Sequence, residues 1–289
     1  MKNSSNSKII GYTAGIISSI LLGLSGVFIR NITSDEYILT FVRLGLSIFF
    51  LLPFLLAKKN IWNMEIKKAL FLLLSTGSLV SLTILCYTNA VRNISLINAV
   101  FLLYLAPIIS VGISTIFLKE KLNFISGILL FFTFLGFLFL LNFDFFNIND
   151  SRGYLWGVLS AICHALYIVF NRKITPNIPL LVRMFYQFLF GAITMLPFVI
   201  NSSFFSISIQ DVYWLIATSF LQGFLALSLL TLAIKNLKVI EYSVLSYIDP
   251  LVASLIGFMF YCEELTLFQL IGCVIIFTTG IMQVFATKN

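Results

Sequence analysis

Four ionisable side chains stand inside long apolar runs of this sequence: Arg43, His164, Arg183 and Asp249. A charge at the centre of a membrane-spanning helix costs about 2.5–3.5 kcal/mol, so each needs a reason to be there. Asp249 directly precedes Pro250 and is suited to act as counter-ion for an amine or to carry a proton. Arg43, in Phe41-Val42-Arg43-Leu44, is suited to clamp a carboxylate through two parallel hydrogen bonds. His164 is the only histidine, and an imidazole can change charge near neutral pH. Arg183 reads as an anchor that snorkels to the membrane interface. Glu241, close to Lys238, reads as an interface residue. Tyr104 and Tyr247 each lie three residues before a proline, Pro107 and Pro250, and in a helix that spacing shares a face. The candidate ligand contacts are therefore Asp249, His164, Arg43, Tyr104, Tyr247, Gln187 and Ser246. Tyr87, Tyr167 and Gln222 belong to the same buried polar set. The structural alternatives are a packing histidine and an aspartate paired with Arg43 or His164.

These residues must be held by elements of unusual composition. The chain has 289 residues, 60% hydrophobic and only 10% charged, with a mean hydropathy of +1.05. Soluble domains carry about 25% charged residues. There is too little polar surface here for a soluble enzyme, a nucleic-acid-binding module or a disordered chain. Ten apolar segments are long enough to span a membrane: 9–29, 37–57, 69–91, 95–118, 123–141, 153–171, 178–200, 211–234, 240–262 and 265–286. Stretches such as Ile128-Leu129-Leu130-Phe131-Phe132 lack the period-two alternation of barrel strands. The predicted fold class is an all-α integral membrane protein. Lys2 and Lys8 precede an apolar run of full spanning length, so a cleaved signal peptide is not expected. The 31 Phe residues read as lipid-facing and packing bulk. Cys86, Cys163, Cys262 and Cys273 lie in apolar runs with no metal-ligand spacing and read as packing residues.

Basic residues set the expected orientation. With the N-terminus inside, thirteen of the 18 Lys and Arg fall in cytoplasmic segments and three, Arg30, Arg92 and Arg152, in outer loops. That bias predicts both termini in the cytoplasm. The halves of the chain also repeat. Gly11/Gly153, Tyr12/Tyr154, Phe28/Phe170 and Arg30/Arg172 match at an offset of 142 residues. Asn93/Asn236, Pro107/Pro250 and Glu120/Glu263 match at 143. Two units follow, 1–143 and 144–289. Each holds five spans, an odd number, so the second is inverted relative to the first. Inverted repeats are characteristic of secondary transporters, with the site near the midplane between them. Pro107 and Pro250 fall near the middles of their spans and predict broken helices with freed carbonyls at Leu103 and Ser246.

At this point the sequence resembles the EamA family of the drug/metabolite transporter superfamily. The resemblance rests on ten spans in two halves and on a proline followed thirteen residues later by an acidic hairpin. That pattern reads Pro107…Phe117-Leu118-Lys119-Glu120-Lys121-Leu122 and Pro250…Cys262-Glu263-Glu264-Leu265. Arg43 resembles the family's arginine in the second span. Leu129 stands where the second half has Gly272, and Leu22-Gly23 replaces the family's Trp-Gly. The resemblance implies transport of small metabolites such as amino acids, amines and nucleotide-like compounds.

The expected function is a secondary-active transporter working by alternating access on an amino acid or related zwitterion, held between Arg43 and Asp249. The alternative is a carrier for an organic amine, with Arg43 structural. A channel or a membrane enzyme remains a further alternative, but the chain lacks paired aspartates, a Ser/His pair and HExxH. It also lacks a nucleotide-binding GxxxxGK[ST] loop. No cofactor or metal is expected. The expected partners are a small-molecule substrate, membrane lipid and protons as a candidate coupling ion, with no nucleic acid. The chain is expected to be a monomer or weak dimer in a bacterial inner membrane.

Overall fold

The computed structural model describes residues 2–57, 66–94, 96–120, 123–140, 151–174, 178–200, 207–261 and 266–286. Among these residues every regular element is helical. The helices are α1 (Lys2–Gly23), α2 (Ser25–Asn31), α3 (Glu36–Leu56), α4 (Ile66–Asn93), α5 (Leu96–Leu103), α6 (Ala106–Phe117) and α7 (Phe124–Leu140). They continue as α8 (Ser151–Lys173), α9 (Leu180–Ile200), α10 (Ile209–Thr218), α11 (Leu227–Asn236), α12 (Val239–Ser246), α13 (Ile248–Tyr261) and α14 (Leu267–Ala286). A π-helical segment, Ser219–Ala226, joins α10 to α11.

Among the described residues, eight helical stretches are long and apolar enough to cross a membrane. Three of them run through a break or change of register: Ser7–Ile29, Ile209–Asn236 and Val239–Ile256. The other two expected spans are represented by shorter helices. Residues 95–118 divide into α5 and α6, and 123–141 correspond to the 17-residue α7. Phe71, Phe131 and Phe277 are among many large apolar side chains exposed on the outside of the bundle, where lipid would cover them.

The helix starts follow local chemistry. Ser208 caps α10 by accepting the Asp211 N–H at 3.1 Å. At α12 the Glu241 carboxylate accepts the Lys238 N–H at 2.9 Å, half of a capping box. Glu241 is 3% exposed, so it is a buried cap rather than an interface residue.

The prolines behave differently from the sequence expectation. Pro107 is the second residue of α6 and Pro250 the third of α13. Each helix stops before its proline and restarts, so the proline sits in a first turn, where a missing N–H costs little. The carbonyl that gains a new partner is that of Tyr104, not Leu103. It accepts from the Tyr247 hydroxyl at 2.9 Å.

The contacts pair off between the halves. Helix α1 packs on α11 and α8 on α4; α3 packs on α9, α6 on α12 and α7 on α14. Small residues allow the closest approaches, as expected where lipid offers no hydrophobic drive. Helix α1 breaks at Leu24, between Gly23 and Ser25-Gly26, a small-residue cluster of the kind that bends helices. There Gly23 touches α13: a Cβ at this position would come within 2.7 Å of the Asp249 carbonyl.

Arg183 corrects the snorkelling expectation. It is 1% exposed and its two Nη groups donate to the carbonyls of Asn171 at 3.3 Å and Ile174 at 2.9 Å. It therefore closes the C-terminal end of α8 from α9, where the Asn171 carbonyl also accepts the Ile174 N–H at 3.3 Å. Arg183→Gln is expected to lower stability by about 1–3 kcal/mol. In thermal unfolding this reads as several degrees, at roughly 2–4 °C per kcal/mol. Arg183→Lys should recover only part, because one ammonium cannot reproduce the planar fork. An unchanged unfolding temperature in Arg183→Gln would remove this role.

Candidate functional site

The helix breaks surround a cavity of about 100 Å³. Three of them deliver side chains to it. The α1–α2 break supplies Leu22 and Ser25, the α5–α6 break supplies Leu103, Tyr104 and Pro107, and the α12–α13 break supplies Ser246 and Asp249. Phe28, Ile29 and Leu39 flank the cavity toward the 32–35 turn, so it occupies that half of the bundle.

Asp249 is 6% exposed, and its Oδ1 is buried without a hydrogen-bond partner. Ser19 and Tyr104 lie beside its carboxyl group. Arg43 is 8% exposed. One Nη donates to the Gln222 carbonyl at 3.4 Å, and its Nε is buried without a partner. Both residues line the cavity, yet among the described residues no ion pair within 4.0 Å joins them. The alternative of a purely structural Arg43–Asp249 pair is therefore not what the structure contains.

The π segment explains how Arg43 is held. A π turn leaves carbonyls outside the α-helical ladder. Here the Gln222 carbonyl accepts from Arg43, and the Ser219 carbonyl accepts from Ser47 Oγ at 3.1 Å. The Gln222 side chain donates to the Leu21 carbonyl at 3.2 Å, just before the α1 break. Gly223 makes the approach possible: a Cβ there would strike Ser47 Oγ and lie 2.6 Å from the Arg43 carbonyl. One π segment thus ties the helix carrying Arg43 to the break that touches Asp249.

Of the other predicted contacts, His164, Tyr104 and Ser246 line the cavity. His164 stacks on Tyr167, ring centroids 6.1 Å apart. Tyr104 and Tyr247 are 6.0 Å apart, but Tyr247 is fully buried behind Tyr104 and against Phe137. The two rings meet at a tilt of 37°, and of the two only Tyr104 lines the cavity, with Tyr247 packed behind it. Gln187 lies deeper, donating to Thr76 Oγ1 at 3.3 Å and accepting from Thr231 Oγ1 at 3.2 Å. Thr231 also meets the Tyr167 hydroxyl at 3.3 Å, so Gln187 supports a cavity tyrosine from behind. Pro107 lines the cavity floor, whereas Pro250 stands beside it. Thr83, Thr88 and Thr218 also line the wall and were not singled out in the sequence. Their hydroxyls resemble any other threonine bonded to its own helix, as Thr83 is to the Leu79 carbonyl at 2.7 Å.

Among the described residues no cluster of His, Cys, Asp and Glu is placed to hold a metal. Cys86, Cys163 and Cys273 are free thiols. Cys262 and the Cys262-Glu263-Glu264-Leu265 half of the acidic motif lie outside the described residues, as do Lys121 and Leu122.

Helices apolar enough to cross a membrane pack around a cavity lined by both signs of charge, and comparison with known proteins says what class of protein this is. The EamA-like transporter family matches residues 9–142 and again 151–285. The chain belongs to that family, within the drug/metabolite transporter superfamily. An uncharacterized transporter of Archaeoglobus fulgidus is 26% identical over 262 residues, 91% of this chain and 92% of that protein. The uncharacterized transporter YxxF of Bacillus subtilis is 24% identical over 286 residues, 95% of this chain and 89% of that protein. One solved crystal structure covers 99% of both chains with a TM-score of 0.80 at 17% identity, a likeness of fold.

Proposed function

We propose that this chain is a secondary-active carrier that moves an amino acid or related zwitterion by alternating access. One observation carries the reading: two buried charges of opposite sign line one cavity, unpaired with each other, each with an unpartnered polar atom. Leaving such groups buried is costly unless a ligand completes them. A substrate carboxylate would take the open donor of Arg43, and a substrate ammonium the open Oδ1 of Asp249. Protons are the candidate coupling ion, exchanging with the ammonium at Asp249. The amine alternative is favoured by the tyrosines at 87, 104 and 167, whose rings line the same cavity and suit a cation.

Ten spans in two inverted halves complete this reading. The reciprocal contacts of α1 with α11 and of α8 with α4 support it, since an internal twofold exchanges one for the other. The location is a bacterial inner membrane with both termini cytoplasmic, as a monomer or weak dimer.

The test is thermal unfolding of the purified protein with a panel of amino acids, amines and nucleobases. A compound at 100 times its dissociation constant should stabilise by about 2.7 kcal/mol. Stabilisation by an amino acid but not by its decarboxylated amine supports the zwitterion. Equal stabilisation by the amine makes Arg43 structural. A panel in which nothing but a nucleobase binds removes both readings.

A further inference from the structure

Below the cavity the two halves meet along a polar seam between α6 and α12. It begins at the cavity floor, where the Pro107 carbonyl accepts from Ser110 Oγ at 2.7 Å and from Ser243 Oγ at 3.2 Å. The two serine hydroxyls are themselves 3.2 Å apart. The seam ends where α6 stops. Lys119 takes the left-handed conformation, φ 52°, that commonly closes a helix, and the chain turns into Glu120. One Glu120 oxygen accepts from Arg172 Nε at 3.0 Å, at the end of α8. The other accepts the Val239 N–H at 3.0 Å, at the start of α12. Arg172 also donates to the Lys235 carbonyl at 2.8 Å, at the end of α11. A single carboxylate from the first half thereby gathers three helix ends of the second, at the end of the bundle away from the cavity.

We propose that the Glu120–Arg172–Val239 cluster is the latch that closes the cavity toward this end, and that it opens whenever the site changes side. The inference rests on the alternating-access reading. Its chemistry suits repeated breakage. Glu120 and Arg172 are partly exposed, 16% and 27%, so each hydrates readily on separation. The seam above them is closed by serine hydroxyls whose bonds water can replace. The other end also carries a partly exposed pair, Arg92 with Glu36, and Arg92 donates to the Ser34 carbonyl at 2.6 Å, but there a buried carboxylate ties the same turn down. Asp211 there is 2% exposed and accepts from Thr33 N–H, Thr33 Oγ1 and Ser34 Oγ, fixing a turn.

The test uses a chain with its four cysteines replaced and a single cysteine at Ser110. A membrane-impermeant maleimide is added to either side of sealed vesicles. Glu120→Gln, Glu120→Ala and Arg172→Gln should each raise labelling at least tenfold, from one side only, with Glu120→Ala the strongest. Glu120→Ala with Arg172→Gln should add little to Glu120→Ala alone, because both remove one latch. Unchanged labelling, independent additive effects, or an equal rise at a control cysteine at buried Ala192 overturns the latch. Ligand stabilisation measured on the same variants separates the failures. If it persists while labelling does not respond, the latch fails and the site reading stands; if it is already missing in the parent chain, the site reading fails.

Discussion

Replacing Asp249 by asparagine should abolish ligand stabilisation at concentrations that saturate the parent. Truncating one partner of a buried, hydrogen-bonded charge pair costs about 2–5 kcal/mol of binding. At 1.4 kcal/mol per factor of ten, affinity falls roughly 30-fold to several thousandfold. Asparagine keeps the shape and can still meet Ser19 and Tyr104, the neighbours of the carboxyl group. The unliganded unfolding temperature should hold or rise, because a buried group with an unpartnered Oδ1 exchanges a charge for a neutral amide. Loss of binding with retained stability separates a ligand contact from a structural one. If Asp249→Asn binds the same compound as tightly as the parent, Asp249 leaves the site.

Gly223→Ala should be the most damaging single methyl in the molecule's polar centre. The added Cβ would strike Ser47 Oγ and sit 2.6 Å from the Arg43 carbonyl. Ser47→Ala cannot relieve this, since a backbone carbonyl remains in the way. Overpacking of this kind costs about 1–3 kcal/mol. At roughly 2–4 °C per kcal/mol, the unfolding temperature should drop by about 2–12 °C. Ligand affinity should fall with it, because the clash displaces the helix that carries Arg43. Gly112→Ala is the matched control: in α6, nothing lies within 4 Å of its added Cβ. A glycine-to-alanine change at such a site should gain about 0.4–1 kcal/mol. Equal behaviour of the two variants would show that the α3 contact with the π segment is not tight.

Much of the architecture was legible because membrane chemistry leaves few options. Apolar runs of spanning length and charged breaks mark the long helices, and α3, α8, α9 and α14 follow the expected boundaries within a few residues. Asp249, Arg43 and His164 stood out because ionisable groups are rare in such runs. The same logic misplaced Arg183, since a guanidinium at a span end can cap a neighbouring helix as readily as it can reach water. It also singled out Gln187, whose amide is occupied by Thr76 and Thr231. The cavity threonines carried no signal, because a threonine on a spanning helix is ordinarily satisfied by its own backbone. The π segment was equally silent: it holds no proline, and Gly223 reads like any helix glycine until α3 is seen against it.

On the alternating-access reading proposed above, that segment has a consequence for the transport cycle. In the first half, the counterpart helix α4 is α-helical from Ile66 to Asn93, while its partner carries eight residues in π register. Halves that differ at the point where Arg43 is gripped cannot exchange conformations as equivalents under a twofold axis. In a carrier built this way, loading from one face and loading from the other have unequal rate constants and unequal half-saturation. Such a protein rectifies kinetically, filling a compartment faster than it drains it, while the final balance is still set by the gradients alone.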